Sequence, residues 1–180
     1  MVRMSGILSR FAWAPLLLSL TVAVLSAAPD DGWETAGRRI KDFKVKDLEG
    51  RTLHARELLG KLVVVDFWAT WCGPCIKELP ELAAYHERLR GDARVVLLSF
   101  NATDDREDLL DFVRRERVAF PVYLADDVLD RFEVSAFPTK LILDFRGERA
   151  VERFRRIGYT PVESIEVKVR EVLDRPVATD

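Results

Sequence analysis

Apolar residues fill nearly every position of residues 62–68, and residues 94–100 form a second run of the same kind. Runs of this length, rich in valine and leucine, are typical of central strands that are covered on both faces. Further strands are predicted at residues 120–124, 139–143 and 149–157. The last two flank the turn-like residues 144–147.

Helical spacing of apolar positions appears between these strands. It begins at Pro74, continues to Leu89 and stops before Gly91. A second helix is predicted from Thr103 or Asp104 to about Arg117, because acidic residues lie at its start and arginines at its end. Residues 128–132 predict one or two helical turns, and a final amphipathic helix follows Pro161.

Alternation at residues 43–46 and 52–54, around a turn containing Gly50, predicts a small N-terminal hairpin. Strands that alternate with helices and end in a hairpin and a closing helix indicate an α/β fold with a mixed central sheet. We expect one domain at residues 40–175, a linker at 29–39 and a tail at 176–180.

The N-terminal segment has the pattern of an export signal. Arg3 and Arg10 precede an uncharged stretch at residues 11–28 that ends in small residues. A signal peptide at 1–28 and an uncleaved anchor both stay open, because Pro29 should hinder cleavage and the stretch is close to the roughly 18 to 20 residues that span a bilayer. We expect a periplasmic or otherwise extracytoplasmic protein, either soluble or attached to the membrane through residues 11–28.

Composition limits the remaining classes of function. The chain has 180 residues, of which 48% are hydrophobic, and a formal net charge of -2. This is enough for one sizeable core, and it gives no basic field for nucleic acid. We expect a monomer that does not bind nucleic acid.

The two cysteines of the chain, Cys72 and Cys75, lie directly after the first apolar run. Two thiols within one helical turn can form a small reversible disulfide, and there is no third cysteine to compete. A purely structural disulfide is the alternative for an exported protein. A loop with two intervening residues would stabilise the fold only weakly, so the spacing favours a redox centre that needs no further cofactor.

The residue order assigns different roles to the two thiols. Cys72 lies at a helix N-terminus, where unpaired backbone N–H groups stabilise a thiolate, and is predicted to attack. Cys75 should be more buried and should resolve the mixed disulfide.

Neighbouring residues are candidates for contacting a substrate. Pro74 fits the first helical turn, and Gly73 lets a partner chain approach the backbone. Trp71 and Trp68 offer flat apolar surface beside the thiols, with plain core packing as the alternative for both.

Two acidic residues are candidate proton carriers. Asp66 interrupts an apolar strand, so it must either find partners or hold a proton that could exchange with Cys75. A hydrogen bond to nearby backbone is its alternative role. Glu78 lies three residues after Cys75 on the same helix face and could also reach the thiols, or it could be an ordinary solvated glutamate.

Other chemistries find less support. His86 lies eleven residues beyond Cys75 and His54 lies in the hairpin region, so neither supports a Cys-His protease, and two cysteines fall short of a closed zinc site. We expect no metal. A copper-handling module and a thiol peroxidase are kept as alternatives, the latter because Phe120-Pro121 followed by Asp126-Asp127 looks peroxiredoxin-like.

Residues 64–75, Glu78-Leu79-Pro80 and Phe137-Pro138-Thr139 together resemble the thioredoxin superfamily, specifically its exported TlpA/ResA-like thiol-disulfide oxidoreductases. The resemblance covers roughly residues 40–173. It implies a thioredoxin-like fold with an N-terminal hairpin and a helical insertion before the third strand.

The resemblance also implies site properties. It implies a cis peptide between Phe137 and Pro138 that faces the cysteines, with the Phe137 backbone pairing with an incoming chain. Asp66 departs from the asparagine often found in this group, whereas Glu78 matches its acid near the cysteines. Either residue could therefore be the proton relay.

The function implied is that of an exported protein-disulfide reductase. Its expected partners are exported thiol or disulfide client proteins, with apocytochrome c as the family's frequent client, and a membrane electron donor. The Gly73-Pro74 dipeptide is that of thioredoxin, near -270 mV, which favours the reducing direction.

Overall fold

The computed structural model describes residues 31–102 and 104–177. Its sheet is built around strand β4 (Leu62–Trp68), in which all seven residues are buried. Strand β5 (Val95–Asn101) pairs with β4 in parallel, and β7 (Thr139–Asp144) pairs with it antiparallel. These are the apolar runs that predicted central strands, and their burial on both faces explains the absence of alternation.

Five further strands extend the sheet on both sides. The sheet has eight strands in the order β1-β8-β7-β4-β5-β6-β2-β3, with β5 and β6 parallel. The remaining strands are β1 (Glu34–Thr35), β2 (Lys44–Asp47), β3 (Thr52–His54), β6 (Val122–Leu124) and β8 (Val151–Ile157). The predicted hairpin is the β2–β3 pair, and it joins the sheet through β6.

The described part of the chain has four α-helices, of which three connect strands and the fourth follows the last strand. They are α1 (Gly73–Arg88), α2 (Arg106–Arg115), α3 (Leu129–Phe132) and α4 (Val162–Leu173). Short 3-10 helices cover Ala55–Leu58 and Asp126–Val128. Helix α2 begins later than predicted, after Asp105; Thr103, one of the two predicted caps, lies outside the described residues. The predicted α/β fold with a mixed, helix-flanked sheet is confirmed.

Side chains along β4 point alternately to the two faces of the sheet, and each face is part of a separate core. Val64 and Trp68 face one core, which α1, α2 and α4 cover. Val65 and Phe67 face the other, which contains side chains from the hairpin region and α3. Asp66 has the parity of Val64 and Trp68, so it faces the core that also contains both cysteines.

Residues 29–39 were predicted to be a linker, and for the described part of this range the prediction is wrong. Trp33 is buried, and its Nε1 donates to Ser164 Oγ at 2.8 Å. Glu34 pairs with Arg155 of β8, and Arg38 donates to Glu152 at 2.7 Å. The segment was missed because a strand of two residues shows no periodicity.

The predicted signal peptide or anchor at residues 1–28 lies outside the described residues. Within residues 31–102 and 104–177, no helix is both long enough and apolar enough to cross a membrane.

The second core depends on Phe43, whose ring meets those of Phe132 at 5.2 Å and Phe100 at 6.2 Å. Replacing it by alanine should lower the free energy of unfolding by about 3 to 5 kcal/mol through the cavity left behind. Urea denaturation of the oxidised protein measures this. Leu59→Ala is the control, because Leu59 is 60% exposed and should change stability by less than about 0.5 kcal/mol. Equal effects of the two substitutions would show that Phe43 is not a core residue.

Candidate active site

The cysteine pair lies where β4 leads into α1. Cys72 is the N-cap residue of α1 and is joined to Cys75 by a disulfide, with the two Cα atoms 5.2 Å apart. The backbone N–H of Cys75 donates to Cys72 Sγ at 3.3 Å. Cys72 keeps 5% of its surface exposed and Cys75 only 1%. The order of exposure agrees with the roles that the sequence predicts.

The two residues between the cysteines are open to solvent. Pro74 lies in the first turn of α1, where a missing N–H leaves no helical hydrogen bond unmade. A Cβ built on Gly73 would meet no atom within 4 Å. Internal packing therefore does not require glycine at this position, and the backbone there is free to face another molecule.

The two tryptophans beside the motif have different environments. Trp68 is fully buried, and its Nε1 donates to Ser99 Oγ at 2.7 Å, so it belongs to the core. Trp71 is 66% exposed, and its ring meets that of Phe137 edge-on with 5.8 Å between centroids. Of the two tryptophans, Trp71 is therefore the one that offers aromatic surface near the disulfide.

The loop before β7 is the second wall of the site. The Phe137–Pro138 peptide is cis, as the resemblance implied. The Pro138 carbonyl accepts the Gly158 N–H at 2.8 Å, and Thr139 Oγ1 donates to Ala136 O at 2.7 Å. These bonds hold the loop in place, and the aromatic contact brings Phe137 next to Trp71.

The loop that carries Trp71 is held from the other side. Asp104 accepts both the backbone N–H and the hydroxyl of Thr70, each at 2.7 Å. Asp104 also accepts from Asn101 at 2.7 Å. Three hydrogen bonds to one carboxylate therefore connect the segment between β4 and α1 to the end of β5.

Asp66 finds a charged partner in the core. It is 1% exposed and lies directly opposite Lys140 in the pairing of β4 with β7. Lys140 Nζ lies 2.7 Å from Asp66 Oδ1, so the two side chains form a buried ion pair. The partner that the structure gives Asp66 is thus a side chain, that of Lys140.

Glu78 is buried, which excludes the alternative of an ordinary solvated glutamate. Its exposure is 1%, its Oε2 accepts from Lys140, and its Oε1 accepts from the Thr160 N–H. Burial raises the pKa of Glu78, the Lys140 ammonium opposes that shift, and the charge of Asp66 adds to it. Glu78 therefore holds a proton more strongly than an exposed glutamate does.

Two further residues of this cluster, Lys140 and Thr160, were not predicted from the sequence. Lys140 is fully buried in β7 and lies between the two carboxylates. A lysine inside the apolar run 139–143 is as unusual as Asp66 in its own strand. Two opposite charges in two apolar strands could have predicted that these residues form a buried pair. Thr160 contributes a backbone N–H, for which the sequence offers no signal.

The fold and the paired cysteines define a thioredoxin-like protein with a dithiol–disulfide centre. The model of the AhpC/TSA family matches residues 36–148, and the chain belongs to this family.

Curated relatives agree with the resemblance to ResA-like thiol-disulfide oxidoreductases, which is confirmed. The thiol-disulfide oxidoreductase ResA of Halalkalibacterium halodurans is 32% identical over 118 residues, 63% of this chain and 65% of the relative. ResA of Bacillus subtilis is 32% identical over 114 residues, 62% of this chain and 63% of the relative. The matches thus span slightly less than two thirds of these relatives.

Solved structures support the fold. The crystal structure of StoA from Bacillus subtilis superimposes with a TM-score of 0.60 at 25% identity, covering 71% of this chain and 96% of StoA. Nearly the whole of StoA is therefore matched by part of this chain.

The raised pKa of Glu78 has a consequence for stability. Above the ordinary value of 4.5, the unfolded chain releases a proton that the folded protein still holds. The contribution of Glu78 to stability should therefore be complete below pH 4.5 and fall as pH rises to the folded pKa. Urea denaturation across this range should show wild type losing stability relative to Glu78→Gln.

Glu81→Gln is the matched control, because Glu81 is an exposed glutamate on the same helix. The control should track wild type as pH rises. A constant stability difference between wild type and Glu78→Gln at all pH values would contradict the raised pKa.

Proposed function

We propose that this protein is an extracytoplasmic thiol-disulfide oxidoreductase that reduces disulfides of exported client proteins by exchange at Cys72 and Cys75. The observation that carries the proposal is the Cys72–Cys75 disulfide at the start of α1, bordered by the exposed Trp71 and the loop of Phe137 and Pro138. The relationship to ResA proteins supports the same reaction class.

The first step is attack by Cys72. In the reduced protein its thiolate would accept the Cys75 N–H that now points at its sulfur, and the N-terminal end of α1 would stabilise the same charge. The thiolate attacks one sulfur of the client disulfide. A Cys72–client disulfide forms, the client S–S bond breaks, and the other client sulfur leaves as a thiolate.

The second step is resolution by Cys75. Its thiol must lose a proton before its sulfur can attack Cys72 Sγ and release the second client thiolate. Glu78 lies one turn further along α1, and residues three apart on a helix are neighbours. We assign Glu78 as the acceptor of this proton and Asp66 as the second carboxylate of the same buried cluster.

The client-binding surface consists of the exposed and half-buried residues around the disulfide. Trp71 and Phe137 provide apolar contact, and Gly73 and Pro74 leave the approach to the sulfur open. Ile157 is 53% exposed and pairs with Thr139, next to Pro138, which extends the apolar surface along β8. An extended client segment could pair with the Phe137 backbone across this surface.

The cellular setting follows from the N-terminal segment and from the residues between the cysteines. The export pattern at residues 1–28 supports an extracytoplasmic location, soluble or anchored. The Gly73-Pro74 dipeptide supports the reducing direction, with electrons from a membrane donor and apocytochrome c among the clients. The disulfide is the redox centre, and the proposed protein acts as a monomer.

Substitution of each cysteine tests the reaction. Cys72→Ser should abolish the reduction of insulin with dithiothreitol as electron source, because the attacking sulfur is lost. Cys75→Ser should retain the first step and accumulate a mixed disulfide that mass spectrometry detects. Alkylated wild-type protein is the control. Activity at the wild-type level in both variants would rule out the proposal.

The reduction potential tests the direction. Equilibration with glutathione should give a value nearer to thioredoxin, at about -270 mV, than to DsbA, at about -120 mV. The proportion of oxidised protein can be measured by gel shift after thiol alkylation. A potential above about -150 mV would assign an oxidising role instead.

A further inference from the structure

We propose that Lys140 is a positioning residue of the proton relay: its ammonium group lies between Asp66 and Glu78 and offsets part of their negative charge, so that Glu78 is free to accept the Cys75 proton. The inference rests on the proposed function, in which Cys75 must be deprotonated. It starts from the juxtaposition of one buried cation with two buried carboxylates on three different elements.

The geometry connects the sheet to the cysteine-bearing helix. Lys140 on β7 lies 2.7 Å from Asp66 on β4 and donates to Glu78 on α1. All three side chains are at most 1% exposed. Because water does not reach this cluster, each charge must be balanced by another charge or by a hydrogen bond within it.

The charges of the three buried side chains indicate the role of Lys140. With Lys140 protonated, the cluster carries a net charge of about -1 when both carboxylates are ionised, and it becomes neutral when one accepts a proton. Without the ammonium, two adjacent buried carboxylates would hold one proton between them up to a higher pH, as like charges do in carboxylate dyads. The positive charge of Lys140 therefore takes the place of a proton that Glu78 would otherwise hold.

Other groups near the cluster differ in position or charge. On β8, Arg156 lies opposite Lys140, and its guanidinium lies against Gly32. On β5, Ser99 lies opposite Asp66 and is uncharged. Beyond β8, Tyr159 is 43% exposed and donates to Glu81, which is on the solvent side of α1. Lys140 is thus the cation in direct contact with both carboxylates.

The reaction of the reduced protein with Ellman's reagent isolates the relevant step. Cys72 attacks the reagent and releases one thionitrobenzoate. Cys75 then gives its proton to Glu78, attacks Cys72 Sγ and releases a second thionitrobenzoate, leaving the Cys72–Cys75 disulfide. The dithiol loses two electrons and the reagent gains them. The rate of the second release across pH reports the ionisation of the base.

Lys140→Met should move the midpoint of this pH profile upward by roughly 1 to 3 units, and resolution at neutral pH should slow by about tenfold for each unit. Lys140→Arg should keep the midpoint near that of wild type, because it keeps the charge. Lys168→Met is the matched control: Lys168 is also largely buried and pairs with Asp31 and Glu171. It should leave the profile unchanged.

A second pair of variants provides the test if Lys140→Met does not fold. Asp66→Asn leaves the cation beside Glu78 without a competing anion, so the midpoint should fall below that of wild type. Asp66→Asn with Lys140→Met removes both charges and avoids a buried unpaired carboxylate at position 66. The double variant should have a higher midpoint than Asp66→Asn alone.

The outcomes separate the two proposals. If folded Lys140→Met, or the double variant relative to Asp66→Asn, shows an unmoved midpoint, the assignment of Lys140 is wrong and the exchange reaction stands. If wild-type protein releases only one thionitrobenzoate, the dithiol mechanism fails and the role of Lys140 fails with it. Two releases without insulin reduction would overturn the client class alone and leave the Lys140 assignment supported by its own pH profile.

Discussion

The contact of Lys140 with Asp66 and Glu78 is the interaction on which the rest of the site depends. Burying three ionisable side chains costs solvation free energy that an apolar core would not lose, and removing one partner would leave a buried unpaired charge. The contact between opposite charges offsets part of this cost. It also connects α1, which carries Cys75, to the two central strands β4 and β7.

Two weaker sets of contacts, in addition to those of Lys140, hold the rest of the site in place. Hydrogen bonds from Thr70 to Asp104 hold the loop before α1, and the bond from Gly158 to the Pro138 carbonyl holds the loop before β7. Both loops reach the surface, where Trp71 and Phe137 meet. Buried charges thus connect α1 to the centre of the sheet, and hydrogen bonds hold the two loops at the surface of the site.

Local sequence patterns predicted most of the fold and about half of the site, which consists of the buried charges and the two surface loops. The apolar runs identified β4, β5 and β7, and helical spacing identified α1 and α4, because those patterns lie within one element. Asp66 was recognised as an anomaly, but its partner is seventy-four positions away in sequence and adjacent only through the antiparallel pairing of β4 with β7. Strand β1 was missed for the related reason that two residues take their conformation from β8.

Membership of the AhpC/TSA family alone does not distinguish a thiol peroxidase from a disulfide oxidoreductase. The residues of the site favour the oxidoreductase. A thiol peroxidase first forms a sulfenic acid at one cysteine, whereas exchange with a client disulfide needs a second thiol close to the first, as Cys75 is to Cys72. The exposed aromatic surface beside them suits a polypeptide better than a small peroxide. The position of Cys72 at the start of α1 stabilises its thiolate and therefore favours a higher reduction potential. The Gly73-Pro74 dipeptide, in contrast, is that of a centre with a low reduction potential. The charges of Lys140, Asp66 and Glu78, the last of which lies one turn along α1 from Cys75, are a further contribution to the balance between oxidised and reduced forms.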